Sequence, residues 1–315
     1  MTVPTTTSSH SPALAAGKVD WLDRLLVANL VLQMVIIVTG GLVRLTGSGL
    51  GCPTWPQCVP GSFTPTVQQE QGYHKLIEFG NRLLTFVLAA VALAVIIVAA
   101  QRLRGTRPRL YRWTWVPLLG IVAQAIVGGI VVLAKLDPRT VSPHFLLSIA
   151  LVGVSAWLLY RYREGDGPVA LTVPPAAHRL VHVTAAVGGV VLFLGTVVTG
   201  SGPHSGDSLS DVRFGFDPRA TAWLHADAVM LFTGLVVACV VVGLVAHAPA
   251  GYARAWRWVL LICIAQGVIG YGQYFTALPI ALVLVHLAGS ALLTAALAWA
   301  VMTSRTRPLL AKTHL

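Results

Sequence analysis

The sequence predicts an all-α, polytopic membrane protein: eight transmembrane helices forming two tandem four-helix bundles, related by an axis along the membrane normal. Three observations carry this. Of 315 residues, 56% are hydrophobic and only 10% charged, and the mean hydropathy is +0.75, which no ordinary soluble domain matches. Apolar runs recur at 25–46, 76–100, 113–134, 144–160, 180–200, 221–246, 256–276 and 279–302, most of them near the ~20 residues a helix needs to cross hydrocarbon. The two halves of the chain also repeat one another.

Taken in order, residues 1–24 read as a disordered cytoplasmic tail, since Met1 to Lys18 is rich in Thr, Ser, Pro and Ala and has no apolar core ahead of a cleavage site. Residues 25–160 form the first half, 161–179 a cytoplasmic linker, 180–302 the second half and 303–315 a second cytoplasmic tail. The run at 144–160 is the shortest and only just crosses. The net charge of +11 does not mark a nucleic-acid surface, because the cations fall in alternate short loops. Arg102, Arg104, Arg107, Arg109 and Arg112 lie in one connection, Arg161, Arg163 and Arg179 in another, Arg254 and Arg257 before the seventh run, and Arg305, Arg307 and Lys312 after the eighth. The positive-inside rule assigns these to the cytoplasm together with both termini, and places 47–75, 135–143, 201–220 and 273–279 outside.

The repeat has specific markers. Thr46-Gly47-Ser48-Gly49 closes the first run and Thr199-Gly200-Ser201-Gly202 the fifth. Gln124, Gly128 and His144 recur in register as Gln266, Gly270 and His286. Each half has an even number of spans, so both copies enter the membrane in the same direction.

The chemistry-bearing residues cluster at the outer ends of the runs. His144, His225 and His286 each stand near the start of a run, while the matching place in the second run is Asn81. A single histidine at a helix end is usually an interfacial side chain; histidines repeated at one depth are better explained as ligands, because such groups are costly in hydrocarbon. Neutral imidazoles from two helices can sandwich a haem inside a bundle. His10, His314, His178, His182, His247 and His204 read as structural or solvent-facing. His74, Glu78 and Asn81 share one helical stripe. Glu78, at the apolar start of a span, is either paired with Arg82 at i+4 or used for proton transfer. Arg44 and Arg82 either meet haem propionates or snorkel to the interface. Cys52 and Cys58 bracket five residues in an outside loop, where a disulfide leads over two free thiols and a zinc site is a distant third.

The stretch Arg44-Leu-Thr-Gly-Ser-Gly-Leu-Gly-Cys52-Pro-Thr-Trp-Pro-Gln-Cys58, followed by Ile77-Glu-Phe-Gly-Asn-Arg82, closely resembles the haem A synthase family of bacterial and mitochondrial respiratory systems, and the resemblance runs from the first span to the eighth. It implies oxidation of the C8 methyl of haem O to the formyl group of haem A, for cytochrome oxidase assembly. By position it makes His225 and His286 resemble the axial ligands of a haem b cofactor, His144 a ligand to the substrate haem, Glu78 the essential acidic residue, and Cys52 with Cys58 the first-loop disulfide; the second-half loop at 201–220 has no cysteine. Implied partners are haem O, a haem O synthase and an electron acceptor, within membrane lipid, with room for an oligomer. Asn81 departs from the pattern, since many relatives have His there. The resulting expectation is a substrate haem held by His144 alone, the alternative being a shifted haem bound by His74, with Arg82 close by. Two other functions stay open on the residues alone: a haem b electron carrier linked to quinol, and a membrane transporter.

Overall fold

A computed structural model describes residues 20–207, 210 and 212–307, so most of the two expected tails lies outside it. The described residues form α1 (Trp21–Leu45), α2 (His74–Leu103), α3 (Pro108–Trp113), α4 (Trp115–Leu133), α5 (Pro138–Arg163), α6 (Pro175–Ser201), α7 (Pro218–Val245), α8 (Ala250–Phe275) and α9 (Ile280–Met302), with two-residue strands β1 (Ala170–Leu171) and β2 (Arg305–Thr306). Eight helical segments are long and apolar enough to span a membrane, α3 and α4 counting as one. The chain is a multi-pass membrane protein.

Start signals explain the helix boundaries that hydropathy alone misplaces. Asp137 accepts a hydrogen bond from the Arg139 amide and Pro138 occupies the first turn, so α5 begins six residues before the apolar run at 144. The Arg139 guanidinium beside Asp137 holds its carboxyl below the usual range. Asp217 and Pro218 do the same for α7, where the Asp217 carboxylate accepts from the amides of Arg219 and Ala220. These additions place His144 and His225 about two turns inside their helices. At the first span, Asp20 caps α1, which begins at Trp21 instead of residue 25. The Arg-rich 101–112 stretch, expected as a loop, contains α3, with Pro108 at its start and a break at Thr114.

Packing divides the helices into two rings. In the first half α1 packs on α2, α2 on α4, α4 on α5 and α5 back on α1; in the second, α6, α7, α8 and α9 close in the same order. The halves meet where α9 lies against α1 and α5, and where α5 touches α6. Ile37, Ile149, Val152 and Ala291 form the apolar seam between them. Gly41 permits this approach, since a Cβ there would fall 2.5 Å from Leu287. The second ring is filled by Phe232, Tyr252, Trp256 and Val259, whereas Phe86, Leu119 and Phe275 point outward, as expected of side chains that face lipid.

The repeat is carried into the backbone. Lys135 and Leu136 adopt positive φ (54° and 62°) between α4 and α5, and Ala277 and Leu278 do so (58° and 59°) between α8 and α9. Two consecutive non-glycine residues in this conformation are uncommon, so the same backbone device recurs at matching places in the two halves. The Thr-Gly-Ser-Gly pair behaves differently: α1 unwinds at Thr46, with Gly47 at φ +66°, while α6 continues to Ser201.

The two ends of the bundle differ in chemistry. At the Arg-rich end Arg102 meets Asp20, Arg163 meets Asp23, Arg161 meets Glu164, and β1 pairs with β2, so both ends of the described chain lie together. At the opposite end the long loops interlock the halves: the Gly49 amide donates to the Gly206 carbonyl, Ser210 to Lys135, and Arg44 to the carbonyls of His204 and Thr199.

Candidate functional site

α7 and α9 are diagonal members of their ring, and each carries a partly buried histidine near its start, His225 and His286. His286 is the seventh residue of α9, and Gly270 of α8 leaves room for its ring, a Cβ there lying 3.8 Å from His286 Cε1. Gly195 of α6 plays this part for His225, at 3.4 Å. Gln266 Nε2 donates to the His286 carbonyl at 2.8 Å and fixes the turn that carries this histidine.

The first half repeats half of this arrangement. His144 is the seventh residue of α5; Gln124 Nε2 donates to its carbonyl at 3.0 Å and also to Ser148 Oγ, and Gly128 sits beside the ring, 3.2 Å from Cε1 to the position of a Cβ. Diagonally across, α2 presents Asn81 as its eighth residue, the same place that His225 occupies in α7. Asn81 pairs with Thr39 of α1, Oδ1 accepting from the hydroxyl at 2.7 Å.

His144, His225 and His286 each bury an Nδ1 that has no hydrogen-bond partner among the described residues. The Val191 backbone lies within reach of the His225 ring. Leaving a buried ring nitrogen unmatched costs ~1–3 kcal/mol, and its recurrence at three histidines near the starts of their helices suits a site that binds something. Among the described residues no three His, Cys, Asp or Glu side chains converge, so an iron here must bring its own equatorial ligands. A haem fits that donor set: two imidazoles on opposite sides of an apolar interior in the second half, one in the first.

Glu78 and Arg82 are committed to the loop that follows α1. Cys52 and Cys58 are joined as a disulfide. Glu78, buried, accepts from the Cys52 amide at 2.6 Å and from Arg82 at 2.7 and 3.1 Å. Arg82 donates further to the carbonyls of Cys52 and Thr54, at 2.9 and 3.1 Å, and reaches Gln57 at 3.4 Å. The pairing anticipated between the two is present; the Arg82 guanidinium is bound to loop carbonyls and that of Arg44 to the carbonyls of His204 and Thr199. His74, two turns outward of Asn81, engages Ser48 Oγ through Nδ1 at 2.8 Å, and its carbonyl abuts Gly51 so closely that no side chain could replace that glycine. Thus Asn81, Glu78, Arg82 and His74 lie along α2, the first facing inward and the other three holding the loop.

The structure adds residues that sequence reasoning passed over. Trp55 lies flat on Gly129 of α4, Thr39 partners Asn81, and Gln69 donates to the Gly51 carbonyl. The Gly128-Gly129 pair was the available signal for the first of these, since neighbouring glycines in a helix invite close approach on two faces.

The chain matches the model of the COX15-CtaA family, cytochrome oxidase assembly protein, over residues 23–204. Among similar proteins are those named heme A synthase in Geobacillus thermodenitrificans (32% identity over 41% of this chain and 39% of the relative), Geobacillus kaustophilus (32% over 40% and 38%) and Bacillus pumilus (22% over 81% and 85%). The aligned part of this chain therefore spans about two fifths of the two Geobacillus relatives and most of the Bacillus one. With the matched segment covering α1 to α6, and so the whole first half, the chain belongs to the cytochrome oxidase assembly protein family.

Proposed function

We propose that this protein is a haem A synthase, which takes haem O into its first half and oxidises the C8 methyl to the formyl group of haem A, with a haem b held by His225 and His286 in its second half. The observation that supports this best is the unequal pairing of the repeats, histidine facing histidine in one half and histidine facing asparagine in the other. Two strong axial ligands suit a resident electron-transfer haem, whereas a substrate must arrive and leave. A quinol-linked carrier would gain from bis-histidine ligation in both halves, and a transporter needs neither.

The haem b supplies one-electron redox chemistry when bound. The chain's own residues do the positioning. His144 orients the substrate from α5, and the Asn81–Thr39 pair faces it from the other side with polar groups able to hold water but too weak to ligate iron strongly. Glu78 and Arg82 fix the loop above the first half, with Glu78 the candidate acidic residue for proton handling. The Arg-rich end is cytoplasmic by the positive-inside rule, which puts both termini there, the haem sites toward the outer face and the disulfide on the oxidising side. Haem O synthase supplies the substrate; conversion of the methyl to the formyl group then adds one oxygen atom, at the oxidation level of water, and passes four electrons to a separate acceptor.

The test is co-expression with a haem O synthase in cells that make no haem A, followed by solvent extraction and chromatography. Haem A or hydroxylated haem O is expected. Haem O and haem b alone, extracted from correctly inserted and haem-loaded protein, would overturn the proposal.

A further inference from the structure

Trp55 stands midway through the disulfide loop, and every anchor of that loop bears on it. The carbonyl of Thr54, which forms the peptide bond to Trp55, accepts from Arg82; Thr54 Oγ1 donates to the Gln57 carbonyl at 2.8 Å; the Cys52 amide is held by Glu78. The loop is thereby clamped to α2 while the indole reaches α4. A Cβ on Gly129 would fall 2.5, 2.7 and 2.8 Å from three indole carbons, so the ring lies against the bare helix backbone. The preceding residue, Gly128, is the one that makes room for His144. Trp55, with 38% of its surface exposed, thus lies on α4 next to the glycine that borders His144, on a loop anchored to α2 through Arg82.

The second half treats the same place differently. Gly270 corresponds to Gly128, so Tyr271 corresponds to Gly129. Its aromatic ring belongs to α8 itself, exposed and stacked at 6.4 Å on the outward-pointing Phe275. One half carries an aromatic group at this position on a helix, where it cannot leave; the other leaves a glycine and brings the aromatic in on a loop.

We propose that Trp55 is a movable wall of the substrate site, closing the α2–α4 corner beside His144 while haem is held and swinging out on its loop for haem to pass. The inference rests on the first half being the substrate site. It makes Trp55 a positioning residue and the Glu78–Arg82 clamp the element that sets how readily the wall opens.

The experiment uses full-length protein carrying its second-half haem, loaded with haem O, and follows transfer of haem O to an excess of a soluble haem-scavenging apoprotein. Trp55→Ala removes the wall, Gly129→Ala pushes it away without touching the loop, and Trp55→Phe restores most of the ring. Loss of haem O should quicken on the order of tenfold in the first two and by much less in Trp55→Phe, with the spectrum of the second-half haem unchanged in all three. Loss rates within about twofold of the parent protein in both Trp55→Ala and Gly129→Ala would overturn the inference. Failure of the parent protein to bind haem O at all would overturn it together with the functional reading, and so is distinguishable from failure of the wall alone.

Discussion

Replacing Glu78 with Gln keeps the shape of a buried side chain and removes its charge. The carboxylate takes three hydrogen bonds, from the Cys52 amide at 2.6 Å and from Arg82 at 2.7 and 3.1 Å, whereas a Gln offers a single oxygen and turns its NH2 toward one of these donors. A hydrogen bond to a charged group is worth ~1.5–3 kcal/mol, and the Arg82 side chain keeps 22% of its surface exposed, which places its loss at the lower end. The expected cost is about 2–3 kcal/mol, carried almost entirely by the loop between α1 and α2. Local opening of that loop should then become roughly 30- to 150-fold more populated. Hydrogen exchange followed by mass spectrometry measures this directly: amides near Cys52 should lose protection by that factor, while α7 to α9 and the second-half haem spectrum stay as they were. Unchanged exchange in the loop would refute the clamp, and if haem A formation were abolished at the same time the role of Glu78 would be proton handling alone.

Three further outcomes are expected. His225→Ala or His286→Ala should each abolish the low-spin haem spectrum of the second half without loss of protein from the membrane, as read by optical and electron paramagnetic resonance spectra. Asn81→His, which puts imidazole at the eighth residue of α2 as in α7, should create a second low-spin haem when haem O is supplied and slow its release, at a cost of about 1 kcal/mol for the lost contact with Thr39. Replacing Cys52 and Cys58 together with Ser should destabilise the loop by about 2 kcal/mol in the chain-entropy picture, seen as proteolytic cleavage between α1 and α2 that the parent protein resists.

The architecture was legible because its causes are local. Hydropathy located eight spans, and the register of Gln124 and His144 with Gln266 and His286 reappears as the same hydrogen bond in both halves. Where the reading slipped, the signal was of another kind. The start of α5 was placed at His144 since hydropathy ignores capping, yet Asp137 and Pro138 were visible in the sequence and sufficient. The unlike fates of the two Thr-Gly-Ser-Gly segments depend on tertiary contacts, Phe214 packing on Gly200 in one and Ser48 meeting His74 in the other, and no local pattern encodes these. For Glu78 the sequence offered Arg82 as a partner at i+4 and this was realised, but the Cys52 amide lies 26 residues away and belongs to a loop whose path periodicity cannot predict. Trp55 escaped notice for the same reason.

The account turns on the two halves holding haem differently, and electron paramagnetic resonance of protein loaded with haem O tests that most directly. It predicts one low-spin signal, lost in His286→Ala, beside one high-spin signal that is lost in His144→Ala and indifferent to His74→Ala. Two low-spin signals, with one of them abolished by His74→Ala, would contradict it.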